Sequence, residues 1–287
     1  MKARAVPLAF ASARFACWWI ALDVSRRFGM APRLLYGWFY DAVTSLLAMV
    51  GEGTTFMNYG YADETVAPAE DPASATSLAL YRRTVTAAGS VNVEGRDLLE
   101  VGAGLGGGAA WLARNLAPGS VTGVDLSRSA VERCRARHLP SPGLRFEPGD
   151  AQALEFADGS FDLVLSVESS HTYPDFGRFV AEAHRVLRPG GYLMLTDFRA
   201  AGRIAALRES LSGVSFEIVD FEDVTASVVG ALRLSSAVKE ERIAALRLPR
   251  AMARQMAYFA GLVGSEKFSR FERRDDVYVR LAARKGS

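Results

Sequence analysis

The segment LLEVGAGLGGG, residues 98–108, constrains the fold more than any other part of the sequence. Its apolar start predicts a buried strand, its glycines form a loop, and the helical pattern GGAAWLARNL follows. Glycine suits such a loop because the backbone must turn tightly and approach a ligand closely. The spacing fits E-x-G-x-G-x-G, counted from Glu100, and equally the dinucleotide-binding pattern G-x-G-x-x-G. The loop alone therefore leaves the ligand open.

Short apolar runs alternate with helical patterns along the rest of the chain. DLLEVG, VTGVDL, GLRFEPGDA, FDLVLSV, GGYLMLTDF and DDVYVRLAARK each predict a strand. Between them, SRSAVERCRARHL opens with Ser127 as a helix N-cap, and residues 176–187 show helical spacing of apolar side chains. Alternating strands and helices predict a doubly wound, mostly parallel α/β sheet.

Two domains are expected from the change in pattern near residue 78. Residues 1–77 form a helical, aromatic cap and lid, in which 61–77 is a loop, and residues 78–287 form the α/β domain with a helical insertion at about 200–265. The stretch 34–51 is nearly long enough to span a bilayer, but Asp41 lies at its centre. A buried or membrane-surface cap is therefore favoured over a spanning helix.

Composition excludes several functions. The chain has 34 basic and 32 acidic residues, so it lacks the concentrated positive charge of a nucleic-acid-binding protein. Cys17 and Cys134 are too few for a disulfide framework, which fits a reducing, cytoplasmic location. The three histidines have no metal-ligand spacing with a second histidine or cysteine, so no metal is expected.

A polar cluster, VESSHTYPDF (residues 167–176), follows the apolar strand FDLVLSV. Ligands of open α/β sheets bind beyond the carboxyl ends of the strands, where this cluster and Asp197 lie. His171 could remove a proton from an alcohol, and Asp197 could orient its ring. Glu168 could bind an amino group or act as the base instead. A structural loop histidine, an exposed strand-end carboxylate and a capping aspartate remain the alternatives.

The motifs LLEVGAGLGGG, VTGVD, GDAQALEF, FDLVLSVESSHTYPDF and HRVLRPGGYLMLTDF, in this order, resemble the class I S-adenosylmethionine-dependent methyltransferases. FMNYGYAD, ALYRRTV, VESSHTYPDF and LTDFR are further similar to phthiotriol dimycocerosate methyltransferases and to O-methyltransferases of polyketides and microcystin-type peptides. The resemblance implies a seven-stranded Rossmann-like sheet. It also implies S-adenosyl-L-methionine as methyl donor and S-adenosyl-L-homocysteine as product.

The resemblance also implies roles for individual residues. The methionine part of the donor would be held by Glu100, Gly102, Gly104 and Gly106. Asp125 would bind the ribose, and the adenine would meet Leu126, Asp150 and Ala151. Val167 would line the same edge, and Tyr59 would close over the donor.

The activity expected from this resemblance is O-methylation of a hydroxyl on a lipophilic small molecule, a polyketide-type secondary metabolite. His171, Asp197 and Glu168 of the polar edge are the candidate catalytic residues. One alternative is C-methylation of an alkene such as a prenyl diphosphate, in which aromatic faces stabilise a carbocation and Glu168 removes a proton. Another is a non-methylating scaffold or cyclase. The acceptor would be enclosed by aromatic residues at 36–40 and by helices around 221–265, including Met252, Met256, Tyr258 and Phe259. The same surfaces could instead form ordinary core or pair two subunits in a homodimer.

Overall fold

The first half of the fold carries the glycine loop between two strands. The computed structural model describes residues 55–64, 66, 69–87, 89 and 91–286, so most of the predicted aromatic cap lies outside the described residues. The elements up to the polar cluster are α1 Pro72–Val85, β1 Asp97–Val101, α2 Gly107–Asn115, β2 Ser120–Asp125, α3 Arg128–His138, β3 Leu144–Pro148 and β4 Phe161–Val167.

The second half completes the sheet and adds helices over its carboxyl edge. Its elements are α4 Phe176–Val186, β5 Leu187–Ala200, α5 Ile204–Ser212, β6 Phe216–Asp223, α6 Thr225–Ala245, α7 Arg250–Phe259, α8 Glu266–Glu272 and β7 Asp276–Lys285. Two single turns of 3₁₀ helix, Ser170–Thr172 and Ala201–Arg203, follow β4 and β5.

The described strands form one seven-stranded sheet in the order β3-β2-β1-β4-β5-β7-β6. The pairs among β1 to β5 are parallel, whereas β7 runs antiparallel to both β5 and β6. The predicted doubly wound, mostly parallel seven-stranded sheet is confirmed. Val101 pairs with Val124, and Val167 pairs with Thr196, so these four strands end at one edge. That edge is where the topology places ligands.

Helices cover both faces of the sheet, which explains the near-continuous apolar strands. Side chains of neighbouring residues point to opposite faces, as Leu98 and Leu99 show. Leu98 packs in the core cluster with residues of α1, α2, α6 and α8, while Leu99 packs in the cluster with residues of α4 and α5. The sheet therefore carries two apolar cores and presents its polar groups at the strand ends.

Helix capping confirms one prediction and corrects another. Ser127 caps α3, because its Oγ accepts from the Ala130 backbone N–H at 3.0 Å. The predicted loop at 61–77 is wrong from residue 72 onward, since α1 begins at Pro72 with Asp71 as its N-cap. Proline is favoured in the first helical turn, and this signal was overlooked. Helix α1 consequently runs across the boundary placed between residues 77 and 78.

The predicted helical insertion at about 200–265 is wrong where β6 lies. Phe216 and Ile218 pair with β7 and pack against the core, while Glu217 points outward. The strand is at the edge of the sheet and is only partly buried, so its apolar signal is short. Because β6 follows α5 closely along the chain, the helical pattern of α5 was extended across β6. The remaining insertion, α6 and α7, is helical as predicted.

Within the described ranges, which begin at residue 55, no helix is both long and apolar enough to cross a bilayer. The stretch 34–51 lies outside these ranges.

Candidate active site

A cavity opens at the carboxyl edge of the sheet, between the strand ends and helices α6 and α7. Ten of the thirteen residues predicted for the site line it, namely Tyr59, Gly102, Gly104, Asp125, Leu126, Asp150, Ala151, Val167, Glu168 and His171. The fold thus brings together residues that are more than a hundred positions apart in the chain. Glu100, Gly106 and Asp197 do not belong to the lining.

The glycine loop forms the floor of one half of the cavity. Gly102 has a φ of +82°, a conformation that L side chains rarely adopt, and a β-carbon there would collide with the Ser169 side chain. Asp125, at the end of β2, accepts from the Gly104 backbone N–H at 2.8 Å and from that of Ser127 at 2.9 Å. The carboxylate therefore ties the loop to the start of α3, beside the cavity.

The adjoining wall combines a carboxylate with apolar side chains. Asp150 lies just beyond β3 and accepts from the Gln152 backbone N–H at 2.8 Å. Ala151 is buried, whereas Leu126 is 49% exposed although it is a large apolar residue. An exposed leucine beside two carboxylates and a close-packed glycine loop suits a ligand with a flat apolar ring and polar hydroxyls. These residues fit the predicted binding of an adenosine moiety.

The structure does not place Glu100 and Gly106 at the cavity surface. Glu100 points to the same face of β1 as Leu98, and its Oε1 accepts from the Tyr81 hydroxyl at 2.6 Å. A β-carbon on Gly106 would meet Cys134 and His138, so this glycine serves the contact between α2 and α3. Glu100 is buried and does not line the cavity, so its predicted contact with the donor stays a prediction.

Burial gives Glu100 a pH-dependent effect on stability. Desolvation, opposed by the hydrogen bond from Tyr81, raises the pKa of Glu100 to about 7. A raised carboxyl pKa stabilises the fold below the unfolded-state pKa of about 4.3, and this contribution disappears as the pH rises through 7. The Glu100→Gln variant cannot ionise at this position. We therefore expect its free energy of unfolding to rise relative to that of the wild type as the pH increases from about 5 to about 7, by up to about 1.4 kcal/mol per pH unit.

Urea unfolding at several pH values measures this gain, and Glu132→Gln on the exposed face of α3 is the matched control. The exposed control should show no such trend. A free energy of unfolding for Glu100→Gln that runs parallel to the wild type across this pH range would contradict the buried, proton-binding carboxyl.

The fold joins His171 to Asp197, as predicted. His171 lies in the 3₁₀ turn after β4, and Asp197 lies in the neighbouring strand β5. The His171 Nδ1 and Asp197 Oδ1 atoms are 2.8 Å apart. The imidazole ring also packs on Phe198, with ring centroids 4.2 Å apart. The ring is therefore held from two sides while it lines the cavity.

Asp197 is fully buried yet ionised. Its Oδ2 accepts from the Ser170 hydroxyl at 2.7 Å and the His171 N–H at 2.9 Å, and its Oδ1 accepts from the Phe198 N–H at 2.8 Å. Burial alone would raise its pKa, but the charges of His171 and Arg199 and these hydrogen bonds hold the pKa far below the ordinary range. An ionised carboxylate only accepts hydrogen bonds, so Nδ1 of His171 donates to it, and in the neutral form of the ring Nε2 carries the lone pair.

Glu168 lines the cavity from the end of β4, where its φ is +48°. Its Oε1 accepts from the Tyr278 hydroxyl at 2.5 Å and from the Tyr59 backbone N–H. Burial raises its pKa to about 8, even though these hydrogen bonds and Lys239 lower it. The carboxyl is therefore mostly neutral at pH 7, and it fastens the segment around Tyr59 over the cavity.

The other half of the cavity comes from helices α6 and α7, which sequence interpretation located only in outline. It is lined by Lys239, Arg242, Ile243, Leu246, Met256, Phe259 and Ala260. Met256 and Phe259 were expected there, whereas Met252 and Tyr258 do not line the cavity. Lys239 was missed. One signal could have revealed it, since it is one of four lysines in the chain and precedes two apolar residues at helical spacing.

The other histidines have structural surroundings. His138 Nε2 is 3.0 Å from the Leu105 carbonyl oxygen, and the His184 ring packs edge-on against Phe216. Neither lines the cavity. Within the described part of the chain, no group of three or more His, Cys, Asp or Glu side chains is arranged to hold a metal ion.

Comparison with known proteins agrees with this architecture. Residues 99–195 match the family model described as a methyltransferase domain. The chain is 42% identical over 186 residues to phthiotriol/phenolphthiotriol dimycocerosates methyltransferase 1 of Mycobacterium ulcerans, which covers 63% of this chain and 67% of that protein. It is 41% identical over 184 residues to a fatty-acid O-methyltransferase of Mycolicibacterium smegmatis, covering 62% and 65%. About a third of each relative lies outside the match.

A solved structure extends the similarity over more of the chain. The crystal structure of the [4+2]-cyclase SpnF superposes with a TM-score of 0.68 at 28% identity, covering 88% of this chain and 95% of the cyclase.

The methyltransferase-domain match spans the glycine loop, Asp125, the polar cluster and most of β5. The methyl donor is accordingly S-adenosylmethionine. The chain belongs to the class I S-adenosylmethionine-dependent methyltransferases, in the family that includes the phthiotriol/phenolphthiotriol dimycocerosates methyltransferases.

Proposed function

We propose that the protein transfers the methyl group of S-adenosylmethionine to a hydroxyl oxygen of a lipophilic small molecule of polyketide type. The observation that carries this proposal is that His171, which lines the cavity, is paired with the buried Asp197 behind it. A hydroxyl is a weak nucleophile unless its proton is removed during attack, and a histidine oriented by a carboxylate is suited to that task.

The donor would be held by the half of the cavity that the glycine loop forms. Its methionine part would lie along Gly102 and Gly104, and Tyr59 and Val167 would flank it. Its adenosine part would lie against Asp125, Leu126, Asp150 and Ala151. When bound, the donor supplies a methyl group on a sulfonium centre, which any aligned nucleophile can attack. The protein's part is therefore mainly to position the acceptor and to remove its proton.

His171 would take that proton. Its Nε2 has the free lone pair, because Nδ1 donates to Asp197. Asp197 would stabilise the imidazolium that forms, since it is ionised and buried at 2.8 Å from the ring. The hydrogen bonds to Asp197 from Ser170 and Phe198 fix the carboxylate, which in turn fixes the ring.

The lipophilic class of the acceptor follows from the α6–α7 half of the cavity. Ile243, Leu246, Met256 and Phe259 supply apolar side chains there, and Phe198 supplies an aromatic face. The names of the relatives point to similar substrates, phthiotriol dimycocerosates in one case and fatty acids in the other.

Carbon methylation is the alternative, with Glu168 as the base. The surroundings of Glu168 favour oxygen methylation, because the carboxyl is mostly neutral at pH 7 and one of its oxygens already accepts from Tyr278 and Tyr59. A prenyl diphosphate would also need several cations. Of the two basic residues that α6 contributes to the lining, Arg242 is paired with Asp71.

The position of a labelled methyl group tests the proposal. The purified protein would be incubated with methyl-labelled donor and a panel of long-chain alcohols, diols and hydroxylated fatty acids, and carbon NMR would locate the label. We expect a methoxy ether signal. Label in an ester would show transfer to a carboxylate, label on an aliphatic carbon would show carbon methylation, and an acceptor converted without label would show cyclisation. Each of these three results would contradict the proposal.

A further inference from the structure

Helix α6 presents two cations and two apolar side chains to the acceptor half of the cavity. Lys239, Arg242, Ile243 and Leu246 line the cavity, at spacings of three and four residues. Such spacing places all four side chains on one stripe of the helix. An ammonium on an apolar wall is costly to bury, so it calls for an explanation.

The two cations differ in their partners. The Arg242 guanidinium forms an ion pair with Asp71, with Nη2 and Oδ2 2.9 Å apart. Lys239 makes no hydrogen bond or ion pair with any residue that the structure describes. Burial lowers the pKa of Lys239 to about 8, partly offset by Glu168, so the ammonium remains largely charged at pH 7.

Glu168 is the nearby carboxyl, but it forms no hydrogen bond or ion pair with Lys239. Its Oε1 already accepts from the Tyr278 hydroxyl and the Tyr59 backbone N–H. Burial raises the pKa of Glu168 to about 8, which leaves it mostly neutral at pH 7. The acceptor half of the cavity therefore carries a positive charge that no described side chain neutralises.

We propose that Lys239 binds a carboxylate on the acceptor, so that the preferred substrates are hydroxylated long-chain acids. This inference rests on the proposed function, because it assigns the carboxylate as the anchor and the hydroxyl near His171 as the methylated group. A carboxylate carries one charge and suits a single ammonium, whereas phosphates attract several donors or an arginine fork. Ile243 and Leu246, on the same helix stripe, would contact the alkyl chain beside the carboxylate.

The test compares an acid with its own ester. A hydroxylated octadecanoate and its methyl ester would be titrated calorimetrically into the protein saturated with S-adenosylhomocysteine. We expect the wild type to bind the acid about tenfold or more tightly than the ester, since a charge-assisted hydrogen bond is lost in the ester. Lys239→Met should bind both ligands with similar Kd values, and Lys239→Arg should keep part of the preference.

The matched control is Arg233→Met, which removes an exposed cation from the same helix outside the cavity. It should retain the full preference for the acid. A wild type that binds acid and ester equally, or that binds neither, would overturn the inference, as would Lys239→Met with its preference intact. Because the titration needs no methyl transfer, its outcome is independent of the labelling experiment. If the labelled product is a methyl ether, the carboxylate remains the anchor. If the product is a methyl ester, the carboxylate is itself the methyl acceptor, which contradicts its assignment as the anchor.

Discussion

The His171→Ala variant is expected to lose turnover by about a hundredfold to ten-thousandfold, the range typical of a lost general base. The dissociation constant for S-adenosylmethionine should stay within about twofold of the wild type, a change below half a kcal/mol. Turnover should fall without a change in donor affinity because the two depend on different residues. His171 is held by Asp197 and Phe198, whereas the predicted donor contacts come from the glycine loop and the ends of β2 and β3. Single-turnover kinetics and donor titration measure the two quantities separately.

Two further measurements separate a base from a histidine that merely supports the loop. Added imidazole should restore part of the turnover of His171→Ala, because it can occupy the vacated space and accept the same proton. Asp197→Asn should also lower kcat, since an amide can donate to Nδ1 and so favour the wrong tautomer of His171. His184→Ala, which removes a ring packed on Phe216 outside the cavity, is the matched control and should retain its turnover. Undiminished turnover in His171→Ala at equal donor affinity would exclude the base assignment.

Much of the site could be predicted because it depends on chain topology. In a parallel sheet the carboxyl ends of the strands meet at one edge, so residues that follow β1, β2 and β4 are brought together wherever they lie in the sequence. Gly102, Asp125 and His171 come together in this way. The pairing of Val167 with Thr196 then places His171 beside Asp197. Strand order is the only additional information that this prediction needs.

The remaining features depend on side-chain direction and helix packing. Glu100 could have been placed from strand alternation, because it shares a face with Leu98 and therefore points into the core beneath Tyr81. Lys239 could have been singled out as a rare lysine near apolar residues at helical spacing, but it could not have been placed in the cavity. The stripe of α6 that faces the cavity is decided by how α6 packs on α1 and the sheet. The edge strand β6 was missed because Phe216 is its only buried residue, which leaves a weak apolar signal. The least predictable parts of the molecule are thus the walls that select the acceptor.

Gly102→Ala is expected to have the second large effect, a loss of donor affinity of at least about tenfold, or 1.4 kcal/mol. Gly102 has a φ of +82°, and the added β-carbon would overlap the β-carbon of Ser169. Ser169 cannot move aside freely. Its Oγ donates to the Val101 carbonyl, accepts from the Tyr173 hydroxyl and pairs with Ser166 Oγ, each at 2.9 Å. The backbone of the loop must therefore shift, and the loop is the predicted floor for the methionine part of the donor.

Two other glycines separate backbone strain from this collision. Gly95 has a φ of +71° and lies outside the cavity, and a β-carbon there would meet nothing within 4 Å. Gly104 has a φ of +56° in the same loop, and a β-carbon there would only touch Met57 Sδ at 3.4 Å. Gly95→Ala should cost about 1 kcal/mol of stability, the usual penalty of a left-handed alanine, and leave donor binding intact. Gly104→Ala should weaken donor binding less than Gly102→Ala. The contrary result would be that Gly102→Ala and Gly95→Ala have the same free energy of unfolding and the same donor affinity. In that case the close packing of Gly102 against Ser169, at the ends of β1 and β4, would not shape the donor site.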